Sequence, residues 1–216
     1  ARVAGDVSPA MREQNVSVTN DGMSGGALSN VSQSTTLFLC GDVMTGRGVD
    51  QILPHPSEPG IFEGYARSAL DYVDLAESVN GSIPRPADVG YIWGDALAEL
   101  ELRRPDARII NLETAVTKSE QPWSGKGIHY RMHPGNVGCL LAARIDCCVL
   151  ANNHVLDWGR SGLQESLDTL RRAGITTAGA GPDATAAAAP AQQRSDRRRL
   201  AQLAGEAGQG GPERLP

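Results

Sequence analysis

The chain has 216 residues, 40% of them hydrophobic but only 4% aromatic, with 25 glycines; this suits an Ala/Gly/Leu-rich α/β protein of one domain, or one and a half, better than an all-β fold. Its formal charge is −5, with 20 Lys and Arg against 25 Asp and Glu, so the basic footprint of a nucleic-acid partner is missing. No apolar segment approaches the roughly 18–20 residues that span a bilayer, and the first thirty residues hold no signal-like apolar run.

A cytoplasmic location is therefore expected, with the cell envelope as the alternative because the chain starts at Ala1 and a removed leader stays open. The four cysteines lie in apolar runs and are read as small buried hydrophobes. Cys147-Cys148 has neither CxxC nor zinc-knuckle spacing. Reduced thiols agree with a cytoplasmic setting.

Residues 1–33 are rich in Ser, Asn, Gly, Val and Thr without lasting periodicity, and are expected to form a disordered leader. Thr36 to Cys40 is a short apolar run of the kind found in a parallel sheet covered on both faces. It stops on Gly41-Asp42-Val43-Met44-Thr45-Gly46-Arg47-Gly48. That turn has three readings: a phosphate loop lacking its Lys-Ser/Thr, a plain turn with a capping Asp, or a strand tip presenting Asp42 to a metal.

Gln51 to Gly60 is a proline-bearing loop, long enough to face a substrate. Helical spacing is read over Tyr65 to Glu77, and again from Asp95, as N-cap, to Arg104. Arg108 to Glu113 reads as a second strand whose apolar run stops on Asn111 and Glu113, on one side by two-residue alternation. The irregular stretch Gln121 to Pro134 offers Lys126 and Arg131 to an anionic substrate. Its His129 and His133 are either ligands or solvated loop residues, the latter being favoured.

Leu140 to Ala143 marks a short helix and Cys147 to Leu150 a third strand. That strand runs into Ala151-Asn152-Asn153-His154-Val155-Leu156-Asp157-Trp158-Gly159. A helix from Gly162 to Gly174 and a short strand from Ile175 to Gly179 complete a βαβ pattern, which requires a parallel sheet. Ala184 to Ala191 can add a helical turn or two, and residues 192–216 read as a low-complexity tail.

Three successive strand tips thus carry Asp42, then Asn111 and Glu113, then Asn153, His154 and Asp157. In open α/β sheets, ligands gather outside the carboxyl ends of parallel strands. Hard oxygen donors with one imidazole suit Mg²⁺ or Mn²⁺, with Zn²⁺ or iron as alternatives. Such ions generate hydroxide and stabilise a transferring phosphoryl or acyl group, with His154 protonating the leaving group. The bland reading makes His154 a satisfied structural histidine and the acids helix caps.

The Gly41 to Arg47 turn, Asn111-Leu112-Glu113-Thr114, Ala151 to Gly159, Ala173-Gly174-Ile175 and Gly179-Ala180-Gly181 together resemble the CapA-like poly-γ-glutamate capsule biosynthesis family. The likeness runs over roughly residues 36–191, within a domain assigned to 34–191. That family resembles the calcineurin-like metallophosphoesterases, which implies an αββα fold around a metal site. Carried over by position, the resemblance implies metal ligation by Asp42, Glu113 and Asn153, with His154 as proton donor or transition-state stabiliser; Asp157 joins His154 as a candidate catalytic residue. Arg47, Lys126 and Arg131 are the candidates for holding an anionic polymer or phosphoester substrate.

The chain departs from a metallophosphoesterase pattern at Met44, where a ligand histidine is expected, and at Glu113, where Asp is usual. Nothing like the family's later histidine-bearing strands follows Ala191, so a fold truncated after about four strands is expected, as from a shortened or frame-shifted reading of a longer gene. Half a sheet would leave an edge strand and apolar faces uncovered, which predicts poor solubility or self-association. The implied function is a metal-dependent hydrolase or transferase of capsule polymer biosynthesis or processing. The alternative is a non-catalytic accessory subunit of a polymer synthase or export complex, with a vestigial site. A nucleotide-binding domain ranks third.

Overall fold

A computed structural model describes residues 34–191. The expected leader, 1–33, and tail, 192–216, lie outside the described residues. Four parallel strands form the main sheet in the order β1 (Leu37–Val43), β2 (Ala107–Leu112), β5 (Cys147–Val149), β6 (Thr176–Ala178). Between them come α1 (Gly48–Ile52), α2 (Leu70–Asn80) and α3 (Ala96–Arg103), then α4 (Gly138–Ala142), then α5 (Gly159–Arg172), with α6 (Ala184–Ala188) last. The protein is an α/β fold on a four-stranded parallel sheet, as the alternation of strand and helix patterns predicts.

Each crossover moves the chain one strand further in the same direction, and right-handed crossovers of that kind place every helix on the same side. Burial follows. Ile110 and Cys148 are fully buried in one core with Leu100 of α3, Leu140 of α4 and Leu170 of α5, and Phe38 and Cys40 pack against it. On the opposite face Leu37 is 43% and Leu39 60% exposed, and Ile109 and Val149 are half-buried. The expectation of a sheet covered on both faces is corrected at β1: on that second face Cys147 of β5 is buried, but among the described residues the β1 end is left open.

Helix boundaries shift where the stop signals were read loosely. α2 begins at Leu70 rather than Tyr65, because Ala69 N donates to Pro59 O and Gly60 bridges Ser68 across an extended entry. Asp95 flanks α3, but its side chain makes no capping bond. α5 begins three residues early and closes where expected, with Gly174 at φ +77 supplying the left-handed turn. Three elements were not foreseen in the sequence: α1, in a stretch read as turn and loop, and β3 (Ala115–Val116) with β4 (Arg131–Met132), which form a second, parallel pair beside the main sheet. β3 is held on α5 by Ser166, whose Oγ accepts from Val116 N at 2.9 Å. All four cysteines are free, and Cys139, Cys147 and Cys148 are buried, in keeping with their reading as small core residues.

Candidate functional site

The sheet's carboxyl edge collects the polar tips. β1 and β2 run in register from Leu37↔Ala107 to Cys40↔Ile110, then slip before Val43↔Leu112. The slip falls at Asp42, held at φ +49, a left-handed conformation that Asp tolerates better than most residues. Asp42 Oδ1 accepts from Asn111 Nδ2 at 2.8 Å, and Asn111 Oδ1 accepts from Asn152 Nδ2 at 3.0 Å. Asn152 Oδ1 in turn accepts from His154 N at 3.0 Å. The tips of β1, β2 and β5 are thus tied laterally by side-chain amides.

His154 is 5% exposed and Asp157 fully buried. Asp157 Oδ2 lies 2.7 Å from His154 Nδ1 and also accepts from Tyr130 N at 2.6 Å. Its other oxygen accepts from Lys126 Nζ, which also donates to Asn153 O. On the far side of the ring, His154 Nε2 is 3.4 Å from Glu113 Oε1. The Tyr130 ring stacks on the imidazole at 4.0 Å between centroids, inclined by 15°. Burial raises the Tyr130 phenol above its ordinary pKa, against the opposing pull of Arg47. An imidazole clamped at Nδ1 and reaching a carboxylate through Nε2 can pass a proton along a fixed line.

The predicted site residues separate into two groups. Glu113, His154, Asp157 and Lys126 converge. Lys126 is spent on Asp157, so its charge is balanced within the chain. Asp42 joins only through Asn111, and Asn153 is exposed. Among the described residues no three His, Cys, Asp or Glu side chains come together in a way that could hold a metal ion. Asp42, Glu113 and Asn153 therefore do not make a closed ligand set by themselves.

Arg131 donates through Nη1 to Ser119 O and through Nη2 to Glu58 O, and its guanidinium lies 4.1 Å from the Trp158 ring centre. Burial lowers its pKa, against the raising influence of Asp50. Its role in the geometry is to pin two loops. His129 is not a solvated loop residue: it is 5% exposed, packed beside Phe62 and Trp158, with Nε2 at 3.1 Å from Trp123 O. His133 caps a short turn over Pro134–Asn136 by accepting from Gly135 N. In the glycine turn, a Cβ on Gly46 would meet the Arg131 backbone at 3.0 Å, so its bareness serves packing against β4.

Sequence reasoning missed Tyr130, Asp50 and Glu63. Asp50 is 1% exposed and accepts from Ser57 N, His133 N and Asn136 Nδ2, which ties the loop after α1 to the turn before α4. Glu63, also 1% exposed, pairs with Arg47 Nε at 2.6 Å and accepts from Tyr72 Oη. Both acids sit in aperiodic stretches, where no pattern distinguishes a buried carboxylate from a solvated one.

Comparison with known proteins agrees with this architecture. Residues 36–214 match the family described as bacterial capsule synthesis protein PGA_cap. The chain is 53% identical over 152 residues to a probable polyglutamine synthesis accessory protein of Mycobacterium tuberculosis, in strain CDC 1551 / Oshkosh and equally in strain ATCC 25618 / H37Rv. Those matches take in 70% of this chain and 40% of each relative, so the chain spans about two-fifths of their length. No helix among the described residues is long and apolar enough to cross a membrane. The chain belongs to the bacterial capsule synthesis protein family.

Proposed function

We propose that the protein serves the synthesis of a polyglutamate-type capsule polymer, and that its strand-tip site carries hydrolase-type chemistry with His154 as the proton-transferring group. The polymer class rests on the family and on the relatives' description as accessory to polyglutamine synthesis. The observation that carries the chemistry is the line from buried Asp157 and His154 to half-buried Glu113 at the sheet's carboxyl edge. Asp157 fixes the imidazole by taking Nδ1, which leaves Nε2 to exchange a proton with a reacting group or with Glu113. Lys126 balances the Asp157 charge. A divalent ion, Mn²⁺ or Mg²⁺ before Zn²⁺ or iron, enters as a variable of the test.

The test incubates the chain with poly-γ-glutamate and, separately, with a generic phosphodiester, in EDTA and in Mn²⁺. The expected result is turnover of one of them that drops about 10²-fold or more in His154→Asn, the size usual for a positioned general acid or base, with an unchanged melt. Equal turnover by His154→Asn would overturn the assignment.

The relatives' description as accessory to polyglutamine synthesis supports a second reading, a non-catalytic accessory subunit in a polymer synthase complex. That reading predicts polymer binding without turnover, indifferent to His154→Asn.

A further inference from the structure

Beside the strand-tip site lies a cavity of about 300 Å³, bounded by the glycine turn, α1, α2 and Tyr130. Its walls are mainly aliphatic, from Val49, Ile52, Val73, Ala76 and Ile83. One residue breaks that character. Arg47 lines the cavity with its guanidinium between two aromatic rings, 5.0 Å from the Tyr72 centre and 4.6 Å from that of Tyr130.

Three features suggest that Arg47 is set there for a ligand. Its Nε is taken by Glu63 at 2.6 Å, while Nη1 and Nη2 have no hydrogen-bond partner among the described residues. Its backbone is held at φ +53, ψ −131, a conformation that a residue with a Cβ adopts only at a cost. Glu63, fixed in turn by Tyr72 Oη, sets the plane of the guanidinium. The result is a rigid pair of N–H donors beside apolar walls.

We infer that this cavity binds a carboxylate-tipped aliphatic group, with the carboxylate on Arg47 Nη1 and Nη2 and the chain against the wall formed by α1 and α2. A planar guanidinium matches a carboxylate with two parallel bonds. Because buried Glu63 cancels the formal charge of Arg47, selection comes from short-range donors rather than from a long-range field, so binding should depend only weakly on salt. Tyr130 forms one wall of the cavity and also stacks on His154, so its ring stands between a group seated here and the imidazole. The inference rests on the reading that this edge faces substrate, but it needs neither metal nor turnover.

The experiment is calorimetric titration of the chain, in EDTA, with hexanoate and with hexan-1-ol, on wild type, Arg47→Gln and Ala76→Phe. Ala76→Phe fills the cavity from α2, and Ile83→Trp replaces it if that variant fails to fold. Saturable binding of hexanoate by wild type is expected. Arg47→Gln should weaken hexanoate roughly tenfold or more, the worth of a charge-assisted bond, and leave hexanol unchanged. Ala76→Phe should lose both. No saturable hexanoate binding, an unchanged hexanoate-to-hexanol ratio in Arg47→Gln, or undiminished binding in the filled variant would each overturn the assignment. Since no turnover is measured, a failed hydrolase assay with intact binding separates this inference from the proposed chemistry.

Discussion

Asp157→Asn is the most informative single perturbation of the site. The carboxylate is fully buried and accepts from Lys126 Nζ, from Tyr130 N at 2.6 Å and from His154 Nδ1 at 2.7 Å. Asparagine keeps the volume and one acceptor oxygen, so no cavity opens; with that oxygen in the Oδ2 position the bonds from Tyr130 N and His154 Nδ1 survive without their charge assistance and the one from Lys126 is lost. The loss is that of charge-assisted bonds, each worth about 1.5–3 kcal/mol. Lys126 is 25% exposed and can turn towards water, which discounts its share. A net loss of about 2–3 kcal/mol remains. Urea titration measures it, and a cycle with Lys126→Met isolates the pair, with a coupling of about 1 kcal/mol expected for contacting residues. A loss below about 0.5 kcal/mol, the size of an ordinary surface change, together with an additive cycle, would mean that Asp157 does not hold this site together.

Burial pushes the Cys139 thiol up to about 12 and raises that of Cys148 further, so iodoacetamide at pH 8 should leave both unmodified in the native chain and label both in urea; native labelling would contradict their packing. Burial lowers the pKa of His133, against the raising effect of Asp50. The unfolded chain then takes up a proton near the ordinary histidine value of 6.5 that the folded chain still refuses, so stability is present above that pH and is lost as pH falls through it. His133→Gln should flatten that acid limb of the stability profile, and an unaltered limb would locate the effect elsewhere. Leu39, 60% exposed on the open sheet face, predicts concentration-dependent sedimentation that Leu39→Lys abolishes while shifting stability by no more than about 0.5 kcal/mol; equal sedimentation of the two proteins would show that this face does not self-associate.

What the sequence made legible is what repeats or ends abruptly. Apolar runs stopping at Asp42, Asn111 and Asn152 marked three neighbouring strands, and the strand order β1-β2-β5 puts their tips side by side. Leu163, Leu167 and Leu170 marked α5, and Gly174 its end. Illegible were features that depend on segments meeting from far apart. Ser166, a polar residue on the buried face of α5, is explained only by the backbone of β3, fifty residues away. Lys126 and Arg131 both read as free cations in a loop, yet each is committed to partners, Lys126 to a buried acid and Arg131 to carbonyls of other loops. Tyr130 looked like one more aromatic in an irregular stretch, and its stacking on His154 needs β4 to be paired with β3. Periodicity reports which face of an element is buried, and says nothing of which distant group arrives there.

The amide ladder across the tips explains why the polar residues come in this order along the chain. Asn111 uses its donor on Asp42 and its acceptor on Asn152, and Asn152 uses its acceptor on His154 N and its donor on both Asn111 Oδ1 and Leu112 O. An aspartate at either asparagine would supply no donor, and an alanine would leave neighbouring polar groups without their partner. The amide is thus the side chain that can relay position from β1 through β2 to the loop after β5 while adding no charge. The loop that carries His154 is anchored to the sheet at Asn152 and to Tyr130 and Lys126 at Asp157. With both ends of that short turn fixed, the imidazole has little freedom except to lie between Asp157 and Glu113.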